Sequence, residues 1–233
     1  MAVVVADIAK VAKSLGDLRE EVVFLGGSAL FLLVTDPVVL PTIRPTDDVD
    51  VIIEVGSTLD YQLKLEPKLR SLGFSHVHDQ GAPLCRWRSP DRIIVDVMPD
   101  DPIVLGFSNR WYQAALRASD LIKIEAVSLN VISASYFLAT KLEAHHDRGG
   151  DLYVSKDLED IITLIDGRAE LVHEVSAFSD DAAKSFISAA ITSLLTDEFI
   201  HEALPGYLPG DDASQARARL IVERMNKLVS RPS

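Results

Sequence analysis

The sequence predicts an α+β protein with a mixed or antiparallel central sheet flanked by helices and a helical C-terminal part. Three observations predict it. Before about residue 130, short apolar runs alternate with glycine, proline and aspartate turns, as strands do. Beyond it, apolar residues recur at three- and four-residue spacing, as on one face of a helix. Three strand candidates between residues 74 and 98 are joined by connections too short for parallel crossovers, so an antiparallel set is expected there. The implied division is 1–130 for a catalytic α/β part and 131–233 for a helical part.

Taken in order, residues 2–15 place Val4, Ile8, Val11, Ala12 and Leu15 at helical spacing, and Gly16 is the stop. Residues 22–25 form a first strand, and a helix after Gly27 carries Leu30, Phe31 and Val34. Asp36-Pro37 and Pro41 make an irregular connection. Residues 49–54 form a second strand, with Val49, Val51 and Ile53 on one face and Asp48, Asp50, Ile52 and Glu54 on the other. A helix over 58–72 ends at Gly73. Phe74–His78, Leu84–Arg88 and Arg92–Met98 are the next strands. A polar-aromatic loop over 107–112 leads into two short strand-like pieces that reach Ser133. Residues 134–147 are helical through Phe137, Leu138 and Leu142. Ser155 caps a further helix, with Asp157 and Glu159 in its first turn, an apolar stripe of Leu158, Ile161, Ile162 and Ile165, and Gly167 after it. Two more stripes follow, one from Ala183 to Leu194 and one through Ile221, Met225 and Leu228.

The totals bound the function. A net charge of −12 argues against a broadly basic nucleic-acid binder, while leaving room for a local basic pocket around one RNA end. Cys85 is the single cysteine, which excludes an intrachain disulfide and a cysteine-built zinc site. Met1–Asp7 has no basic region before its first acid, so no signal peptide is expected. The longest uncharged apolar run, Val22–Val34, holds two glycines and falls short of the ~20 residues of a membrane span. The expectation is a cytoplasmic protein with no membrane partner.

The chemistry concentrates in Phe24–Asp50 and in Asp96. A strand delivers Gly26-Gly27-Ser28, a helix follows, and the next strand sets Asp48 and Asp50 two apart, on one face. Glycines admit close approach of a ligand, and a helix starting there turns free N–H groups toward an anion. Asp96 lies alone in the apolar run Ile93–Met98, where a carboxylate is costly unless compensated. A divalent cation shared with Asp48 and Asp50 would compensate it, and magnesium takes such hard oxygen ligands together with phosphate oxygens.

Gly26-Gly27-Ser28, Asp48-Val49-Asp50 and a later isolated Asp96 together resemble the DNA polymerase beta-like nucleotidyltransferase superfamily. Within it, Arg44-x-Thr46-x-Asp48-Val49-Asp50, Lys141 and Lys156–Asp160 resemble the group of AbiEii-type toxins, over about residues 20–168. The resemblance implies transfer of an NMP from an NTP to an acceptor hydroxyl with release of pyrophosphate. Asp48, Asp50 and Asp96 would be catalytic and would hold Mg2+ or Mn2+ as a pair of ions roughly 3.5–4 Å apart. Gly26, Gly27 and Ser28 would hold the phosphates, Lys141 would contact phosphate, and Asp157 or Asp160 would shape the nucleotide pocket or orient Lys141. The acceptors it implies are a tRNA end, a protein hydroxyl or a small molecule, and a toxin would have a cognate antitoxin.

Each residue also has a plainer reading. Asp48 and Asp50 alone could be a solvated strand face; Asp96 tips the balance. Lys141 could be a snorkelling lysine, and Lys156 and Asp160 an i,i+4 pair. Arg44 is a surface residue or a support for the aspartate strand. Arg148, beside two glycines, is a weaker phosphate candidate. His145, His146 and Asp147 are read as surface residues, since helix neighbours do not face each other. His76 and His78 are read as solvated. Trp111 and Tyr112 would stack a base or pack in the core. The alternative to an enzyme is a non-catalytic nucleotide-binding or protein-interaction module on the same fold.

Overall fold

The computed structural model describes residues 3–229. Met1 and Ala2, the start of the N-terminal reading, lie outside them. The chain forms two compact units: one of the residues up to Leu32 with Pro45–Ser133, the other of Leu33–Arg44 with the residues from Ala134 onward.

The first unit is built from α1 (Val5–Ser14), β1 (Val22–Leu25), α2 (Gly26–Leu33) and β2 (Asp48–Ile53). Next come α3 (Thr58–Asp60), a π-helical turn and α4 (Glu66–Ser71), then β3 (Ser75–His76), β4 (Arg86–Arg88) and β5 (Ile94–Pro99). Two short helices, α5 (Pro102–Leu105) and α6 (Tyr112–Arg117), precede the hairpin β6 (Asp120–Ile124) and β7 (Val127–Val131). Among the described residues, seven strands form one sheet in the order β3-β4-β5-β2-β1-β7-β6. β2 runs parallel to β5 and β1 parallel to β7, while the other pairs are antiparallel. The sheet is therefore mixed, and with its flanking helices the fold is α+β, as the sequence predicts.

The strands form where they do because their apolar residues have somewhere to go. All four residues of β1 are buried. Val49 and Val51 of β2 sit opposite Val95 and Val97 of β5, and all four are buried. On the same side Trp87 is fully buried, and its indole N–H donates to the Tyr61 hydroxyl at 3.4 Å. That hydroxyl donates to the Val97 carbonyl at 3.3 Å, and burial pushes the Tyr61 phenol above its ordinary pKa.

Two stretches of this unit differ from the sequence reading. Of Phe74–His78 only Ser75 and His76 pair as a strand, and His76 is half-buried against the edge of Trp87. The segment around the polar-aromatic loop carries helices. Asp101 caps α5 by accepting the Ile103 N–H at 2.8 Å, Pro102 opens it, and Gly106 ends it in the left-handed region. Trp111 is buried, and the Tyr112 hydroxyl meets the Met98 sulfur at 3.6 Å, so both pack inward.

The second unit holds α7 (Ala134–Asp147), α8 (Lys156–Gly167), α9 (Leu171–Ala177), α10 (Asp181–Thr196), α11 (Ile200–Ala203) and α12 (Asp212–Val229). Ser155 caps α8 as expected, its hydroxyl accepting the Leu158 N–H at 3.1 Å. The C-terminal end of α8 is held by arginines of α12. Arg217 Nε lies 2.8 Å from Asp166, and Arg224 donates to the Ile165 carbonyl at 2.7 Å. The stretch read as an irregular connection is tied to the same end. Thr35 and Asp36 donate their N–H groups to the Gly167 carbonyl at 2.9 Å, and Asp36 accepts Arg217 at 2.7 Å. Gly167 has no side chain because a Cβ would come within 2.6 Å of Val34. Among the described residues no helix is long and apolar enough to cross a membrane.

Asp180 links α10 to α7. Its carboxylate accepts the Ala182 and Ala183 N–H groups at 3.0 Å and the Tyr136 hydroxyl at 2.8 Å. The Ala183 N–H, with these other donors, holds its carboxyl below the ordinary aspartate range against the effect of burial. A depressed folded pKa contributes stability that is complete above the unfolded value, about 3.9, and is lost as pH falls through the folded one. Asp180→Ala is expected to cost about 0.5–2 kcal/mol in urea denaturation at neutral pH, with the gap to wild type narrowing below pH ~4. An undiminished gap in acid would show that the charged carboxylate is not what caps α10.

Candidate active site

Pairing across the sheet decides what meets. In the parallel β2–β5 ladder, Asp48 lies opposite Ile94 and Asp50 opposite Asp96. Paired residues share a face of the sheet, and so do residues i and i+2 of one strand. Asp48, Asp50 and Asp96 therefore project from one face, away from Trp87, Val95 and Val97. β4, antiparallel on the far side of β5, sets Arg86 opposite Asp96 and brings an arginine to the acids.

Arg86 grips two of them. Its Nε donates to Asp96 Oδ1 and its Nη2 to Asp96 Oδ2, both at 2.8 Å, a bidentate fork. The same Nη2 donates to Asp48 Oδ2 at 2.9 Å. The other Asp48 oxygen accepts the Thr46 hydroxyl at 2.9 Å. The hydrogen bonds to Asp96, reinforced by the charges of Asp96 and Asp48, raise the guanidinium pKa further, so Arg86 is a permanent cation. The sequence reading gave Arg86 no role. Its position in a strand candidate beside an acidic one was visible, but not the register that pairs it with Asp96.

The glycine turn borders the same face. Gly26 has φ of +72°, and a Cβ there would sit 1.8 Å from Asp50 Oδ2. Glycine is required both by the backbone angle and by the carboxylate lying against it. Gly26, Gly27 and Ser28 form the first turn of α2, directly after Leu25, which pairs with Asp50. Ser28 is buried, its hydroxyl 3.5 Å from the Leu25 carbonyl. Beside Arg86, Cys85 is also buried; burial, then the charges of Asp96 and Asp50, push its thiol up to about 12, so it stays neutral.

Among the described residues, no three His, Cys, Asp or Glu side chains are drawn together as the shell of a metal ion. The point common to Asp48 and Asp96 holds Nη2 of Arg86. Three hard-oxygen donors on one face, two of them already sharing a cation, fit a divalent ion in donor type and charge.

Lys141, Asp157 and Asp160 form a separate cluster in the helical unit. Lys141 Nζ lies 3.2 Å from Asp157 and 2.6 Å from Asp160, which are respectively 3% and 1% exposed. Buried carboxylates need such partners. Arg148 also pairs with Asp157, and Arg44 reaches Glu159 at 3.0 Å and Asp160 at 3.4 Å. Burial raises the Glu159 pKa, and the Arg44 charge opposes it. Asp160 thus answers to Lys141 and Arg44, where an i,i+4 pair with Lys156 was the plainer expectation. His145 is a correction: it is buried, with Nδ1 2.8 Å from the hydroxyl of Ser155. Burial lowers its pKa. The helix turns it inward onto the α8 cap, away from the surface position assigned to it from its neighbours His146 and Asp147.

A mixed sheet with an acidic strand behind a glycine turn is the arrangement that the sequence resemblance to nucleotidyltransferases implies. The family model described as nucleotidyl transferase AbiEii toxin, type IV TA system, matches residues 11–225, and the chain belongs to that family. Among solved structures it is similar to an antigenic nucleotidyltransferase-like protein from Paracoccidioides brasiliensis, at 20% identity and a TM-score of 0.47, covering 86% of this chain and 91% of the other. A search of curated proteins gives no significant match.

Gly26→Ala is expected to force Asp50 aside and strain the turn, lowering stability by about 1–3 kcal/mol in chemical denaturation. Gly81→Ala is the control, since Gly81 also has positive φ, +84°, but nothing within 4 Å of its added Cβ. If both variants lose the same stability, contact between Gly26 and Asp50 is not what excludes a side chain there.

Proposed function

We propose that the chain transfers an NMP from a nucleoside triphosphate to an acceptor hydroxyl, as the toxin of a toxin–antitoxin pair, with Asp48, Asp50 and Asp96 as its catalytic carboxylates. The observation that carries this reading is the placement of all three on one sheet face against the glycine turn. An acceptor oxygen attacks the α-phosphorus; the new O–P bond forms as the bond to the β-phosphate oxygen breaks, and pyrophosphate leaves. Asp48, Asp50 and Asp96 would hold the divalent ion, magnesium or manganese. When bound it would screen phosphate charge and make the acceptor hydroxyl more acidic. The acceptor's proton would pass to a carboxylate oxygen of Asp96, the most buried of the three acids, when that oxygen is not held by Arg86. Gly26, Gly27 and Ser28 would present the amides of the first turn of α2 to phosphate oxygens. In the helical unit, Lys141, oriented by Asp157 and Asp160, is the proposed nucleotide contact. The proposed acceptor is a tRNA end, one of those the sequence resemblance implies and one that a local site on an acidic protein allows; a cognate antitoxin is the proposed partner.

One observation favours a second reading. Arg86 already bridges Asp48 and Asp96, as it would in a non-catalytic module whose acids only brace the sheet.

Incubation with each labelled NTP, magnesium and total RNA separates the two. Label transfer is expected in wild type and a loss of at least about 100-fold in Asp48→Ala and Asp96→Ala, on the scale of removing a group that acts in the transition state. Chelation of magnesium is expected to stop it. Absence of transfer together with absence of magnesium-dependent nucleotide binding would establish the bracing module.

A further inference from the structure

The Arg86 fork consumes three of the oxygens that a metal ion would need. Both oxygens of Asp96 and one of Asp48 are bonded to it, and the two acids share a single nitrogen, Nη2. The grip is strong, because charge-assisted and bidentate bonds exceed neutral ones. It is also reversible. The Arg86 side chain is 30% exposed, against 11% for Asp96, so the arginine is more open to solvent than the acid it holds. Its backbone is fixed in β4 by the pairing with Asp96, so release requires only side-chain rotation.

Asp48 and Asp96 share one guanidinium, two carboxylates to a single positive charge, so negative charge remains at their common point. A second cation is attracted to it, but cannot take the shared position while Nη2 is there. We propose that Arg86 is the resident counter-ion of this site and competes with a divalent ion for Asp48 and Asp96. It holds the acids together until the ion arrives and withdraws when the ion binds. Arg86 is thus a positioning residue that sets the affinity of the metal site. This inference rests on the metal-site reading proposed above.

Manganese binding to the full chain, without nucleotide, tests it by electron paramagnetic resonance. Arg86→Met is expected to bind Mn2+ about tenfold or more tightly than wild type, the scale of one charge-assisted hydrogen bond. Arg86→Lys, with the charge but not the fork, is expected to fall between them. Without metal, Arg86→Met is expected to melt below wild type, and added Mn2+ should raise its Tm by more than it raises that of wild type. Asp50→Asn, made in both backgrounds, is expected to weaken binding and so locate the ion. Equal or weaker binding by Arg86→Met, still sensitive to Asp50→Asn, would overturn the competition while sparing the metal site. No binding in any variant would remove the metal site and the proposal with it. Should Arg86→Met fail to fold, the wild type decides by nuclear magnetic resonance. The Arg86 Nε–H signal, assigned by its loss in Arg86→Lys, is expected to lose its protection from solvent exchange on saturation with Mg2+. A signal that keeps its protection would overturn the proposal.

Discussion

Asp50 and Asp96 stand side by side on parallel strands, and like charges so placed repel unless a cation lies between or beside them. Everything at this face follows from that constraint. The register creating it is fixed from behind, where Val49 meets Val95 and Val51 meets Val97 in the buried layer. A slip by one residue would carry Asp96 to the apolar side and expose its neighbours, so the cost of losing the core enforces the meeting of the acids. Arg86 arrives by the same logic, as the partner of Asp96 on the next strand, with Trp87 anchoring that strand from the apolar side. Hydrophobic burial on one face thus positions charge on the other.

The helical unit meets the same problem differently. Asp157 and Asp160 are more buried than any acid of the sheet, and they are matched by Lys141, Arg44 and Arg148. Asp166 is matched by Arg217, whose guanidinium also reaches Asp36. Removing one partner from such a group leaves a buried charge uncompensated, a cost of several kcal/mol in general. Lys141, Arg44 and Arg217 are largely covered by the fold, while the Arg148 side chain stays mostly exposed.

How much of this could be read from the chain depends on range. The acids, the glycine turn, the Ser155 cap and the long helices were legible because their signals are local: i and i+2 on a strand, a cap three residues before its partner N–H, apolar stripes at helical period. The α5 start at Asp101-Pro102 was just as local and was passed over amid the aromatic residues that follow. Arg86 was not legible, because its partner lies ten residues away across a turn whose register no pattern states. The attachment of residues 33–44 to Gly167 and Arg217 was illegible for the same reason, spanning more than a hundred residues. His145 misled because the fact that helix neighbours do not face each other rules out a shared metal for His145, His146 and Asp147 but does not say which of them turns inward; His145 does, onto Ser155.

Charge also bears on what the sheet face can accept. A bare triphosphate approaching this face meets Asp48 and Asp96, which share the single charge of Arg86, in a chain that is itself strongly acidic. Such a polyanion is repelled unless it brings its own cations. On the proposed reading the requirement for a divalent ion is then a property of this chain's carboxylates before it is a property of the reaction. The same acids that would organise the chemistry would also make the site refuse a nucleotide that arrives uncomplexed. A guanidinium released from Asp96 would stand beside the incoming phosphates, converting a charge spent on holding the empty site into one available to the substrate.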